Sequence, residues 1–423
     1  MPTPATNRLG LSPIARVRAF RATDISPASE ATETPALQHA LLTEWSASVS
    51  DLGTFLPLAT AIAMTGSLDF GAILLFAGLM NLLSGWRFRQ PIPAQPMKAL
   101  AAVAITEQLT RGEIAAAGLM VAVCLILLAA TGATEWAARL VPRPVVRGIQ
   151  LGIGLRLVAK GGEWLFGLQW SGLQFGWTSG LPFMGMDSLL VAALVGTLLC
   201  APRLRRIPLL LPVFAAGFVI AIISNPGGWT GFAATVPDLA PQWPAALEWT
   251  RGVLHAGLPQ LPLTLLNSVL AVCALSSDFF PRGGISPRKM ALQLGVINLL
   301  AIPFGALPMC HGAGGLAAHY RFGGRSGLSA ILLGAMMIGA AILFGPGMVQ
   351  LLAGYPVSIM AVLLILAGWT LGRVARDAMA GTDLIILLAT LLPILLINTA
   401  IGFVAGLTLA MVIGRRQPTT ERE

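Results

Sequence analysis

Apolar positions in this chain gather into runs of about 17–25 residues, the length that crosses the hydrocarbon core of a bilayer as a helix. Polar and charged positions gather in the short segments between them. Fourteen such spans are legible. Seven lie at about 40–62, 70–86, 93–108, 113–138, 143–160, 186–201 and 207–224, and seven more at about 256–277, 289–305, 307–319, 328–345, 348–372, 382–397 and 398–413. The third of each set is short and broken by prolines or glycines. An odd number per half inserts the second half upside down relative to the first. The expectation is an all-α polytopic membrane protein with about 14 transmembrane segments in 7+7 inverted repeats, broken at the third and tenth segments. Its divisions are a disordered cytoplasmic tail (1–38), a first repeat (39–225), a polar Trp- and Pro-rich connection (226–255), a second repeat (256–414) and a short cytoplasmic tail (415–423).

Charge supports that count. With both termini cytoplasmic, inside segments carry twenty-two of the 27 basic residues, whereas outside loops hold only Arg111 and Arg251. Lys98, Arg156 and Lys160 fall within spans. A wrong number of spans would scramble this alternation. The net charge of +9 is therefore a topological signal and not a nucleic-acid footprint. Only 11% of residues are charged and 56% are hydrophobic, too little polar surface for a soluble chain of this length. Cys124, Cys200, Cys273 and Cys310 show no paired spacing and read as packing residues, so no metal site and no cofactor is expected. The first 38 residues have no apolar core, so no cleavable signal peptide is read there. Nucleotide-binding and protease motifs are missing, which argues against an enzyme and for transport driven by a gradient. Short loops and arginine richness point to a bacterial inner membrane.

The chemistry concentrates in the two broken segments. Pro91, Pro93 and Pro96 keep 91–95 extended, and Pro96 suits the first turn of a helix running on to Glu107. Pro308, Gly312, Gly314 and Gly315 interrupt the second segment before a helix restarts near Gly314. Irregular backbone at membrane depth must be buried or line a cavity. Each restarted helix begins with unpaired N–H groups and a partial positive charge, a natural anion site. Lys98 adds a full charge, Gln95 an amide and His311 an imidazole donor, while Gly312 and Gly314 let backbone N–H groups come close to a ligand. Competing readings are tight packing for the glycines, snorkelling for Lys98 and a satisfied buried ring for His311.

Ionisable residues within spans are functional suspects. Glu44, Ser48 and Asp51 share one face of the first span, and Asn267 and Asp278 one face of the eighth. Glu44 and Asp51 either pair with buried cations or couple transport to protons, whereas Asp278 reads as a helix-end feature. Gly148, Gly152 and Gly154 mark a close helix contact.

Several stretches resemble the eukaryotic-type molybdate transporter family, distant relatives of the sulfate permeases. They are Pro91-Ile-Pro-Ala-Gln-Pro-Met-Lys-Ala-Leu-Ala-Ala-Val-Ala104, Pro259-Gln-Leu-Pro-Leu-Thr-Leu-Leu-Asn-Ser-Val-Leu-Ala-Val-Cys273 with Asp278-Phe-Phe-Pro281, and Pro308-Met-Cys-His-Gly-Ala-Gly-Gly-Leu-Ala-Ala-His-Tyr-Arg-Phe-Gly323. Asp51-Leu-Gly-Thr-Phe-Leu-Pro57 and Val141-Pro-Arg-Pro-Val-Val-Arg-Gly-Ile-Gln150 are similar to it as well. The resemblance implies a core domain moving against a gate domain, uptake of a tetrahedral dianion, and a possible homodimer. It carries Gln95, Lys98, Asn267 and His311 over as motif residues. Together with Met97, Gly312 and Gly314 they form the expected substrate-binding set, and Glu44, Asp51 and Asp278 the coupling candidates. The chain ends soon after its last span, without the soluble domain usual in sulfate permeases, which fits the molybdate branch. Sulfate, a broader oxyanion range, or an anion channel are the alternatives.

Overall fold

The computed structural model describes residues 33–50, 52–166, 168–171, 174–177, 193, 197, 210–224, 237, 239–344 and 354–416. Asp51, Cys200 and nearly all of the expected sixth span lie outside the described residues. The chain divides into Met1–Leu42 and Thr43–Glu423, and the second unit holds every element after the first helix.

The fold is mostly helical. Helix α1 (Glu33–Val49) stops where the Ser48 and Ser50 hydroxyls donate to the carbonyls of Trp45 and Ala47. Helix α2 (Leu52–Met64) follows, so the expected first span is broken rather than continuous. Helix α3 (Phe70–Phe88) is capped by Asp69, whose carboxylate accepts from Ala72 N, and ends on Arg89 in the left-handed region. After strand β1 (Ala94–Pro96) come α4 (Lys98–Glu107) and α5 (Arg111–Thr131). Thr110 and Glu113 form a reciprocal cap at the start of α5, and Gly132 ends it at φ 72°. Short α6 (Thr134–Arg139) and long α7 (Arg143–Phe166) lead to a hairpin that hydrophobic patterning had not foreshadowed, β2 (Leu168–Ser171) paired with β3 (Gln174–Trp177). Helix α8 spans Leu210–Ser224.

In the second half, α9 runs unbroken from Ala246 to Phe279, 34 residues in all. Its first turns were expected to belong to the polar connection, but Glu248 folds back to accept from Ala245 N and starts the helix early. Within α9, Val253–Gly257 and Thr264–Ala271 are π-helical. Pro259 and Pro262 cannot donate to the preceding turn, which is a sufficient cause for such widening. Helix α10 (Pro287–Ala301), strand β4 (Met309–His311), α11 (Ala313–Arg321), α12 (Leu328–Phe344), α13 (Val357–Gly372), α14 (Gly381–Leu396) and α15 (Thr399–Arg416) complete the chain.

Among the described residues, four helical stretches are long and apolar enough to cross a membrane: Phe70–Phe88, Arg111–Thr131, Ala246–Phe279 and Val357–Ala378. Shorter apolar helices accompany them, at Phe55–Met64, Leu328–Leu343, Gly381–Leu396 and Thr399–Ile413. The packing is reciprocal between the halves: α3 lies against α12 and α5 against α10, while α7 packs with α13, α14 and α15. Glycines set two of these seams. A Cβ at Gly78 would lie 2.7 Å from Gly334 O, and one at Gly154 2.6 Å from Gly368 O, so backbones meet directly. The close contact expected of Gly148, Gly152 and Gly154 is thus made with α13 and α14.

Candidate functional site

The two broken segments meet. β1 and β4 pair antiparallel, Ala94 opposite His311, Gln95 opposite Cys310 and Pro96 opposite Met309. Met97 N continues the contact by donating to Pro308 O at 2.9 Å. A helix leaves the C-terminal end of each strand: α4 begins at Lys98 and α11 at Ala313. Because the strands run antiparallel, the helix starts sit at opposite ends of one three-residue ladder, about 10 Å long.

Two asparagines close the outer edges of this ladder. Asn81 of α3 accepts from Ala94 N at 2.8 Å and donates to Ala94 O at 3.4 Å. Asn298 of α10 does the same for Met309, at 2.8 Å in both directions. Both are fully buried. Each satisfies main-chain groups that a two-stranded sheet at membrane depth leaves exposed. A third amide, Gln260 of α9, accepts from Leu100 N at 2.9 Å and donates to the Thr264 hydroxyl. It caps the third residue of α4 and leaves the first two N–H groups, those of Lys98 and Ala99, without intrahelical acceptors.

The expected site residues separate into two groups. Gln95, Met97, His311 and Gly312 are buried, whereas Lys98 is partly exposed and Asn267 and Gly314 are exposed. Gln95 is wedged against α11: a Cβ at Gly312 would lie 2.6 Å from Gln95 Oε1, and one at Gly315 would collide with the Gln95 amide and lie 2.8 Å from Pro93 Cγ. Gly314 has nothing within 4 Å of where a Cβ would stand. Two glycines therefore serve packing, and Gly314 alone lies open at the helix start. Asn267 sits on the π-helical stretch Thr264–Ala271, which packs against β4 and α11. Wide π turns recur at functional sites because they shift side chains out of helical register.

His311 differs from its expected role as a ligand donor. Its Nδ1 lies 3.0 Å from Pro93 O, a pure acceptor, so Nδ1 carries the proton and donates. Its Nε2 lies 3.1 Å from the Ser84 hydroxyl, which in turn receives the Gln293 amide at 3.3 Å. Both ring nitrogens are engaged within the protein, and the ring ties the ladder to α3. Glu44 is also reassigned. Its Oε1 accepts from Arg325 N, Ser326 N and the Ser326 hydroxyl at 2.9–3.0 Å, and its Oε2 from Ser329 N at 3.0 Å. It caps the start of α12. Asp278 is exposed at the end of α9 with no ion pair among the described residues. No cluster able to hold a metal ion occurs among the described residues.

Residues 43–157 and 252–371 match the family model described as "Molybdate transporter of MFS superfamily". The chain belongs to the molybdate transporter family. Molybdate transporter 2 of Arabidopsis thaliana is 36% identical over 90% of this chain and 89% of its own length. Molybdate transporter 1 of Chlamydomonas reinhardtii is 33% identical over 86% of this chain and 90% of its own. Among solved structures, the transmembrane domain of the cyanobacterial bicarbonate transporter BicA superposes at TM-score 0.62 and 17% identity, covering 89% of this chain and 98% of that one. SLC26A9 superposes at TM-score 0.64 and 14% identity over 89% of this chain, which spans 66% of that longer protein. The fold of this molybdate transporter family member is thus the one shared by BicA and SLC26A9, whatever superfamily its description names. It is an integral membrane transporter and not an enzyme. Its named relatives are a plant and an alga, so they lend nothing to a bacterial inner membrane.

Proposed function

We propose that this protein is a secondary carrier of molybdate that holds the oxyanion between the N-termini of α4 and α11, near the membrane midplane. The observation that carries the reading is the β1–β4 ladder, which brings two half-helix starts together with Lys98 as the first residue of one of them. Helix starts present N–H groups and partial positive charge to a dianion, and Lys98 supplies a full charge. Gly314 leaves room at the second start, and Asn267 offers an amide from the facing π turn. Gln95, Met97, His311 and Gly312 build the scaffold beneath. The named substrate of the relatives is molybdate, and their similarity extends over most of this chain.

The reading also includes 7+7 inverted repeats with both termini cytoplasmic. Support comes from the alternation of arginine-rich segments, from the reciprocal packing of α3 with α12 and α5 with α10, and from Asn81 and Asn298 doing the same work in the two halves. No nucleotide-hydrolysing motif is present in the sequence, so the driving force is a gradient. Among the coupling candidates, Asp278 is exposed at the end of α9, whereas Glu44 caps α12. A homodimer in the bilayer rests on family resemblance.

The test is cell-associated molybdenum, measured by elemental mass spectrometry in cells without their own molybdate uptake. Accumulation that survives a large excess of sulfate and disappears with Lys98→Ala, at unchanged protein level, is the expected result. Accumulation abolished by sulfate would redirect the assignment to a broad oxyanion carrier. None at all, with the protein in the membrane, would sink the molybdate reading.

A further inference from the structure

A second polar site lies at the far end of α4. A cavity of about 440 Å³ is lined by Glu107, Glu163, Arg156, Lys160, Arg251 and His255 together with apolar residues of α14. In the topology above it faces the outer solution. Glu107 is the last residue of the ten-residue helix α4, about 13–14 Å along the axis from Lys98. A carboxylate there opposes the negative end of the helix dipole, so it does not serve the stability of its own helix. Its side chain is only 9% exposed. One oxygen is bound by the Arg156 guanidinium of α7, and the other lies 2.6 Å from His255 Nδ1 of α9. Arg251 reaches the Glu107 carbonyl at 3.3 Å and Glu113 at 3.0 Å, while Lys160 pairs with Glu163 at 3.0 Å.

A carboxylate held by a guanidinium and an imidazole N–H occupies the donor geometry that an oxyanion would take. We propose that this cavity is an outer oxyanion subsite and that Glu107 is its tethered occupant. When Glu107 swings aside, Arg156, His255 and Lys160 receive a tetrahedral dianion arriving from outside. Three cationic side chains and two carboxylates line the cavity, so displacing Glu107 leaves a local excess of positive charge for the incoming anion. The same movement breaks the link between α4 and α7, which ties anion arrival to release of the helix that carries Lys98. The purpose of the subsite rests on the transport reading, whereas its capacity to bind does not.

Equilibrium titration of the purified full chain with molybdate, and separately with sulfate, tests this. The Lys98→Ala background removes the proposed cradle and isolates the outer subsite. Glu107→Gln should tighten the remaining binding about tenfold for both anions, since the competing charge is gone and the donors stay. Adding Arg156→Gln to Glu107→Gln should abolish that gain. Unchanged or weaker binding in Glu107→Gln overturns the proposal. So does wild-type affinity in the charge-swapped Glu107→Arg, Arg156→Glu variant, because a simple clamp tolerates exchange whereas a tethered competitor does not. If Glu107→Gln fails to fold, Glu107→Asp withdraws the carboxylate by one methylene and should shift binding in the same direction. Failure of the cradle reads differently: Lys98→Ala would then leave the tight binding intact, with the Glu107→Gln shift still measurable above it.

Discussion

Single residues at this site divide by whether they build the cradle or face it, and the glycines make the distinction measurable. A methyl group at Gly315 meets Gln95 and Pro93, so Gly315→Ala overpacks a buried contact at a cost of about 1–3 kcal/mol. A methyl group at Gly314 meets nothing, and alanine is the better helix former by about 1 kcal/mol. Gly314→Ala is therefore expected to raise the thermal midpoint slightly while weakening molybdate binding, since the methyl group stands in the anion's approach. Gly315→Ala should lower the midpoint and lose uptake through misfolding. A Gly314→Ala protein with undiminished binding would remove that helix start from the site. The asparagines answer differently again. Asn81→Ala or Asn298→Ala strips a strand edge of both its partners, and each lost buried bond costs about 1–3 kcal/mol. Both variants should shift the unfolding midpoint down by comparable amounts, because the two residues make matching pairs of bonds in the two halves. The cap made by Glu44 belongs with these supports.

Short elements rather than long ones create the site, and that explains which parts were legible in advance. Pro91, Pro93 and Pro96 forbid helix until Lys98 whatever surrounds them, so the extended stretch and the restart of α4 follow from local chemistry. The pairing of that stretch with Met309–His311 joins residues more than two hundred positions apart, and no local pattern specifies it. His311 illustrates the cost of that gap: its type suggested a ligand, while its neighbours Pro93 and Ser84 come from other elements and consume both ring nitrogens. Asn81, Asn298 and Gln260 were overlooked because neutral amides in apolar runs carry no charge signal, yet a lone amide at membrane depth must find partners. The early start of α9 was hidden by Trp243, Glu248 and Trp249, a composition that suits a loop equally well until Glu248 is seen to cap Ala245. Gln260 gives the element-scale prediction. Gln260→Glu keeps an acceptor for Leu100 N and so preserves the start of α4, but it brings negative charge to the end of α4 proposed to hold the anion. Molybdate affinity should fall about tenfold or more with little change in thermal midpoint. Equal loss of both would reduce Gln260 to a structural cap.

Across the whole molecule, the ladder, the two asparagine clamps and the Gln260 cap knit α3, α4, α9, α10 and α11 into one support for the cradle. Helix α7 belongs elsewhere, packed on α13, α14 and α15, with glycines 148, 152 and 154 seating it on α13 and α14. Close-packed groups of this kind move as bodies more readily than they deform. The cavity beside Glu107 lies where they face each other: Thr106 of α4 and Ala159 of α7 both line it. If transport requires the groups to shift, a short bifunctional thiol reagent bridging Thr106→Cys and Ala159→Cys should arrest molybdate uptake, and a cleavable version should restore it on reduction. Each single variant treated alike serves as the control for reaction at native thiols, of which Cys273 and Cys310 are buried. The outcome also separates carrier from channel. A channel with a standing pore conducts whether or not its two sides are bridged, so undiminished flux in the cross-linked protein would count against alternating access. Arrest that reverses on reduction would tie molybdate movement to relative motion of the two helix groups, with α4 carrying the cradle at one end and Glu107 at the other.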